Sequence, residues 1–250
     1  METSNPTPDA YPPGNLFGKQ DQMPIQRIKA LAGVPILYDR EPDSNYGHTG
    51  YPLRPYVDAK FAVAADRAFQ EMFLSLAAAG VGEVTSILTG GISRSGGGVG
   101  YHERKRAFDL DGLVFSDGQT WVANSFNTRR FEYLIIEAHL RRAFGTVLTY
   151  GYDQRFEDHI HFDNGDPIGF RKHSKSRTLF LQNALRYLFD QELECDGTYG
   201  PETQQAERAV RAELNLGALS IRDNWDHFLT ASIEALEERL SMPAIVKAFS

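Results

Sequence analysis

Apolar residues recur at three- and four-residue spacing between Asp58 and Ala79, at Phe61, Ala64, Ala65, Ala68, Met72, Phe73 and Leu76. This is the stripe of an amphipathic helix, and Gly80 and Gly82 end it. The period then shortens. Val84–Ile92, Ala107–Phe115 and Thr120–Ser125 are short and rich in β-branched or aromatic residues, which predicts strands. Asp117-Gly118 lies between the last two and marks a hairpin turn. Arg129–Phe144 returns to helical spacing, with Gly145 after it, and Thr146–Tyr150 and His159–Asp163 read as two further strands. From residue 176 onward only helical patterns remain, over Ser176–Phe189, Pro201–Leu214 and Ile221–Leu240.

These elements predict an α+β fold: a small, mostly antiparallel sheet with flanking helices, followed by a C-terminal three-helix domain. Residues 1–25 hold Pro6, Pro8, Pro12, Pro13 and Gly14 and read as a flexible arm. Residues 26–170 form the first domain and 176–250 the helical one. Residues 35–57, rich in Pro, Gly, Tyr and Asp, read as a long ordered loop, and 166–175 as a linker.

Composition narrows the function classes. The chain has 250 residues, 42% apolar and 24% charged, as ordinary globular domains do. The balance is 26 basic against 33 acidic residues, net −7, without the basic surplus of a duplex nucleic-acid binder. The basic run Arg171–Arg177 reads as solvated linker. No apolar run approaches the ~20 residues that cross a bilayer. Cys195 is the single cysteine, which excludes an intrachain disulfide and a thiolate zinc cluster. Met1–Gln22 lacks the basic and apolar regions of a secretory signal, so export by another route or release by lysis is the expectation.

Candidate chemistry gathers on histidines. In Asp158-His159-Ile160-His161-Phe162-Asp163, strand alternation puts His159 and His161 on one face. Upstream, His102 follows the glycine run Gly96–Gly98 and Gly100, and Asp109 lies in the strand Ala-Phe-Asp-Leu-Asp. Two histidines and a carboxylate make a three-ligand site with an open fourth position, the pattern of catalytic zinc. The glycine run lacks the Gly-Lys-Ser/Thr ending of a phosphate loop. His139, on a helix, reads as structural.

The segment Phe144-Gly145-Thr146-Val147-Leu148, followed by Asp158-His159-Ile160-His161-Phe162-Asp163, resembles the bacterial extensin-like C-terminal domain. That domain is similar to zinc D-alanyl-D-alanine carboxypeptidases and endolysin peptidases. Tyr101-His102 to Asp109 resembles their first motif, Ser-x-His-x-x-Gly-x-Ala-x-Asp. His102, Ala107 and Asp109 agree with it; Gly100 stands at the usual Ser and Lys105 at the usual Gly. The resemblance spans roughly residues 60–165. It implies His102, Asp109 and His161 as Zn2+ ligands, Asp158 as general base, and Arg94 as a binder of a substrate carboxylate. In a regular strand Asp158 would face away from His161, and His159 is then the alternative proton-handling or oxyanion-stabilising group. Thr178–Leu185 and Asp196-Gly197-Thr198-Tyr199-Gly200-Pro201-Glu202-Thr203 resemble the peptidoglycan-binding-like domain. Together the resemblances imply a zinc peptidoglycan peptidase, of endolysin or secreted-effector type, acting on the cell wall or in the periplasm. Peptidoglycan is the implied partner. The alternative is a non-catalytic peptidoglycan-binding protein with a degenerate peptidase fold.

Overall fold

The computed structural model describes residues 24–42, 47–93 and 99–242. Expectations for residues 1–23, Arg94, the glycines at 96–98 and residues 243–250 lie outside the described residues. The architecture is α+β, as the periodicity predicts. Strand β1 (Ile25–Arg27) and β4 (Tyr56–Asp58) form a two-stranded ribbon. The main sheet has seven strands: β2 (Ala30–Leu31), β3 (Val34–Tyr38), β5 (Val84–Gly91), β6 (Ala107–Phe115), β7 (Thr120–Val122), β8 (Thr146–Leu148) and β9 (Ile160–Asp163). Its order is β2-β3-β5-β6-β9-β8, with β7 beside the far half of β6. β3 and β5 run parallel, and the other named pairs are antiparallel. Parallel neighbours need a crossover, and helix α1 (Ala59–Ala78) supplies it.

Asp58 caps α1 by accepting the Phe61 amide at 3.0 Å. Gly80, at φ +73°, ends it in the left-handed conformation that glycine adopts freely. α1 and α2 (Arg130–Ala143) cover one face of the sheet, and that face is aromatic. Phe162 has ring centroids of Phe144 at 4.7 Å, Phe108 at 5.2 Å, Phe61 at 6.0 Å and Phe69 at 6.1 Å. Alternation along β6 and β9 therefore sends Phe108, Leu110, Ile160 and Phe162 into the core. Asp109, Asp111 and His161 go to the opposite face.

Two expectations need correction. Residues 35–57 are not all loop, since β3 and β4 lie within them. Pro35 hides β3 because proline cannot donate to a ladder. It is tolerated where β3 meets only the two-residue β2. Ile25, placed in the arm, opens β1. Smaller shifts are the end of β7 at Val122, where one 3-10 turn (Ala123–Ser125) follows, and the end of β8 at Leu148.

The last three helices are α3 (Lys175–Leu188), α4 (Pro201–Glu213) and α5 (Arg222–Ser241). The Gln182 amide organises the α3–α4 turn: it donates to Asp196 Oδ1 and Thr203 Oγ1, both at 3.0 Å, and accepts from Gly197 N at 2.8 Å. Gly197 has φ +78°, and a Cβ there would meet Lys175 at 2.6 Å, so glycine is required twice over. α5 lies along α2, with Trp225 buried and Arg142 Nε 3.2 Å from Asp226. Arg141, paired in the interior with Glu137, also donates to Ser176 O at 2.8 Å. Within the predicted linker Phe170 is buried while Arg171, Lys172 and His173 are exposed, and just beyond it, in α3, Arg177, 3% exposed, donates to Gly145 O at 2.6 Å.

His139 is structural, as its helical position implies. It is 4% exposed, with Nε2 2.9 Å from Ser75 Oγ. Burial, helped by Arg142, holds its imidazole down at about 4. Below pH ~6.5 the unfolded chain takes up a proton that the folded chain refuses until about pH 4, so stability falls as pH drops through that window. The urea midpoint of the wild type should decline there more steeply than that of His139→Gln, by up to about 3 kcal/mol of unfolding free energy. Parallel declines would assign the acid sensitivity elsewhere.

Candidate metal centre

Three chain segments deliver the donors. His102 rides on a turn closed by Arg104 N to Gly100 O (3.0 Å) and Arg106 N to Tyr101 O (2.8 Å). Lys105, within that turn, has φ +64°. This explains why the resembled motif carries glycine there, and why the departure touches backbone strain of about 1 kcal/mol rather than the donors. Asp109 comes from β6 and His161 from β9, where the two residues are register partners. Asp109 Oδ1 lies 2.8 Å from His161 Nδ1 and 3.3 Å from His102 Nε2, and the two nitrogens are 3.3 Å apart. Ligands at ~2.0–2.1 Å around one tetrahedral ion are separated by about 3.3 Å. His102, Asp109 and His161 thus form a group that can hold a metal ion, with donor atoms within 4.8 Å of one another.

The surrounding hydrogen bonds assign the tautomers. His102 Nδ1 donates to the Ile92 carbonyl at 3.1 Å, which leaves Nε2 as a lone pair facing inward. His161 Nε2 donates to Asp163 Oδ2 at 3.1 Å, which leaves Nδ1 inward. Two lone pairs and a carboxylate, on a residue only 8% exposed, then face one another. Such an acceptor trio requires a shared cation or proton. In the metal-free protein the proton is available: burial disfavours His161 charge, but Asp109 and Asp163 outweigh it and push its pKa up to about 9. Burial likewise opposes Asp109 ionisation, and the neighbouring His102 and His161 override it, holding the carboxyl far below the ordinary range. A metal ion would displace that proton.

Around the trio stands a second layer. His159 turns Nε2 toward Asp109 Oδ1, at 3.7 Å, and Nδ1 toward Asp158 Oδ1, at 2.7 Å. β9 begins at Ile160, so Asp158 precedes the strand and escapes its alternation. Asp158 is 55% exposed at the side chain and is tied to His159 and, by a short contact, to Arg40. Burial opposes its ionisation, and these two partners nonetheless lower its pKa. Arg40 also clamps Asp111 in two-point fashion, Nε to Oδ2 at 2.8 Å and Nη2 to Oδ1 at 3.0 Å. Burial raises the Asp111 pKa and the nearby Asp109 charge adds to this, against the pull of Arg40. Gly90 makes room for the guanidinium, because a Cβ there would lie 2.4 Å from Arg40 Nε.

The structure therefore brings together His102, Asp109, His161, His159 and Asp158; Arg94 lies outside the described residues. Sequence reasoning missed Arg40, Asp111 and Asp163. Asp111 and Asp163 were legible in principle, each two residues from a donor in a strand and so on its face. Arg40 gave no signal, being set in a segment read as loop.

Protein freed of metal should bind one equivalent of Co2+, with visible absorption typical of tetrahedral coordination by nitrogen and oxygen. His102→Ala and Asp109→Ala should lose that spectrum while remaining folded by circular dichroism. Asp163→Asn should weaken affinity 10–100-fold, since it alters only the partner that orients His161. An unchanged titration in His102→Ala would dismiss the centre.

No curated protein and no solved structure matches this chain. The family match stops before α3, so the three C-terminal helices fall outside it. Residues 54–171, which carry all three donors together with Asp158 and His159, match the family model of the extensin-like protein C-terminus.

Proposed function

We propose that this chain is a zinc-dependent peptidase that hydrolyses the stem peptides of peptidoglycan, acting at the cell wall or in the periplasm. In this reading the three C-terminal helices serve as a wall-binding module. The observation that carries it is the trio of two imidazole nitrogens and one carboxylate oxygen, with a third imidazole nitrogen, from His159, 3.7 Å from that carboxylate. Imidazole and carboxylate donors suit zinc, and three protein ligands leave a fourth position for water or substrate. The match of residues 54–171 to an extensin-like domain agrees with the resemblance in the sequence.

A bound zinc ion supplies Lewis acidity to water and to the scissile carbonyl. The chain's own residues handle the proton. Asp158 Oδ1 accepts from His159 Nδ1 at 2.7 Å, which fixes the tautomer and leaves Nε2 as a base aimed toward the trio. Nε2 takes the proton of the attacking water and returns it to the departing amine. Asp158 acts one imidazole away, orienting His159 and stabilising its charged form. Arg40, anchored on Asp111, holds Asp158 in that position. Arg94 remains the proposed partner of a substrate carboxylate.

Purified peptidoglycan digested by the zinc-loaded protein should yield new peptide termini by mass spectrometry, and chelation should abolish them. His159→Ala should lower the rate 10²–10⁴-fold with zinc still bound. Asp158→Ala should slow it less, because its imidazole partner remains. If the zinc-loaded wild type releases nothing from peptidoglycan of any cross-link type, the peptidase reading is wrong.

A further inference from the structure

The basic run Arg171–Arg177 does not extend into solvent as a tether. It borders a cleft of about 1100 Å³, walled by β8 and the loop after it on one side and by α4 on the other. Six cationic side chains line the cleft: Arg171, Lys172, Lys175, Arg177, Arg208 and Arg211. The acids there are Asp166 and Glu207, and both are engaged. Glu207 pairs with Arg211 at 2.8 Å and accepts the Tyr199 hydroxyl, and Asp166 lies 3.7 Å from the buried Arg177. Arg171, Lys172 and Arg208 are exposed and make no ion pair among the described residues. A chain of net charge −7 therefore concentrates uncompensated positive charge in one concavity, where low-dielectric walls focus the field on an anion.

The cleft also has flat apolar walls. Phe170 and Tyr199 meet there with ring centroids 5.9 Å apart. Tyr152 lines it too, and Lys175 Nζ donates to Tyr152 O at 2.6 Å. From Tyr152 a run of rings leads to the donor trio: Phe156 lies 5.8 Å away, and its own centroid is 5.5 Å from His159 and 6.1 Å from His161. β8, one wall of the cleft, is paired to the strand that carries His161, with Leu148 opposite it.

We infer that this cleft is a second subsite, which holds the carboxylates of an acidic peptide whose chain continues past Phe156 and Tyr152 to the metal centre. The substrate class rests on the peptidase reading above; the anion site itself rests on the charge and shape of the cleft. Arginine forks match carboxylates two points at a time. The volume suits a short peptide, being at the upper end of small-ligand sites. A long polyanion such as nucleic acid would meet repulsion from the rest of an acidic surface.

The test uses the full chain in chelator, so that nothing is cut. The probe is the soluble stem peptide released from peptidoglycan by amidase, titrated by calorimetry. Arg171→Glu/Lys172→Glu/Arg208→Glu should bind it at least tenfold more weakly than wild type, with thermal midpoint and Co2+ titration unchanged. The same peptide with its carboxyls amidated should bind wild type as weakly as the untreated peptide binds the triple variant. Equal affinity of wild type and variant would overturn the subsite, as would displacement of the peptide from wild type by an equimolar oligonucleotide. The two readings fail separately. Loss of cutting by the wild type with charge-dependent peptide binding intact removes the peptidase; cutting with charge-independent binding removes only the subsite.

Discussion

The register between β6 and β9 is the constraint on which the centre depends. Phe108 and Phe162 are register partners and stack at 5.2 Å with planes 13° apart, deep among Phe61, Phe69 and Phe144. Because strands alternate with period two, fixing that pair on the core side fixes Asp109 opposite His161 on the other. A slip of one residue would send the phenyl rings outward and the carboxylate and imidazole inward. The hydrophobic effect, acting on five aromatic rings, thus sets the position of the polar groups without touching them. Packing on one face of the sheet positions the polar groups on the other.

What packing places, electrostatics then leaves incomplete. Outer partners consume the available N–H groups of His102 and His161, at Ile92 O and Asp163. The inner atoms are all acceptors. A mostly buried cluster of acceptors is stable only with a cation between them, and His161, its pKa pushed up to about 9, takes a proton in that role when no ion is present. The same arrangement that orients the ligands therefore creates the demand for the ion. The next layer out, Arg40 with Asp111 and Asp158, alternates charge signs so that no carboxylate near the centre lacks a cationic or imidazole neighbour.

Most of this was legible because it is written in local periods. The apolar stripe of α1, the aromatic alternation of β6 and β9 and the helices after residue 175 all follow from spacing two or 3.6, and the His102–Asp109 and Asp158–His161 segments stand out against them. What spacing cannot show is pairing across distance. β3 was hidden by Pro35 and is defined by its parallel neighbour β5, 51 residues along the chain in register from Ile36 to Ile87. Arg40 lies two residues past the end of β3, so missing the strand meant missing the residue that braces Asp158. The packing of α5 along α2 was equally invisible, since an amphipathic helix declares that it has a buried face and not which neighbour covers it.

Asp158 shows where a motif and a geometry part company. A carboxylate three residues before a metal ligand can address the centre directly only if the backbone between them is helical or bulged, and here it enters an extended strand at Ile160. The chain meets the requirement differently. His159 shares the face of His161, and its ring spans the gap, with one nitrogen at Asp158 and the other near Asp109. An imidazole is well suited to this place because its two nitrogens act on opposite sides of one ring. The acid and the histidine then form one proton-handling unit, and the half-exposed setting of Asp158 is no handicap, because Arg40 supplies the orientation that burial would otherwise provide.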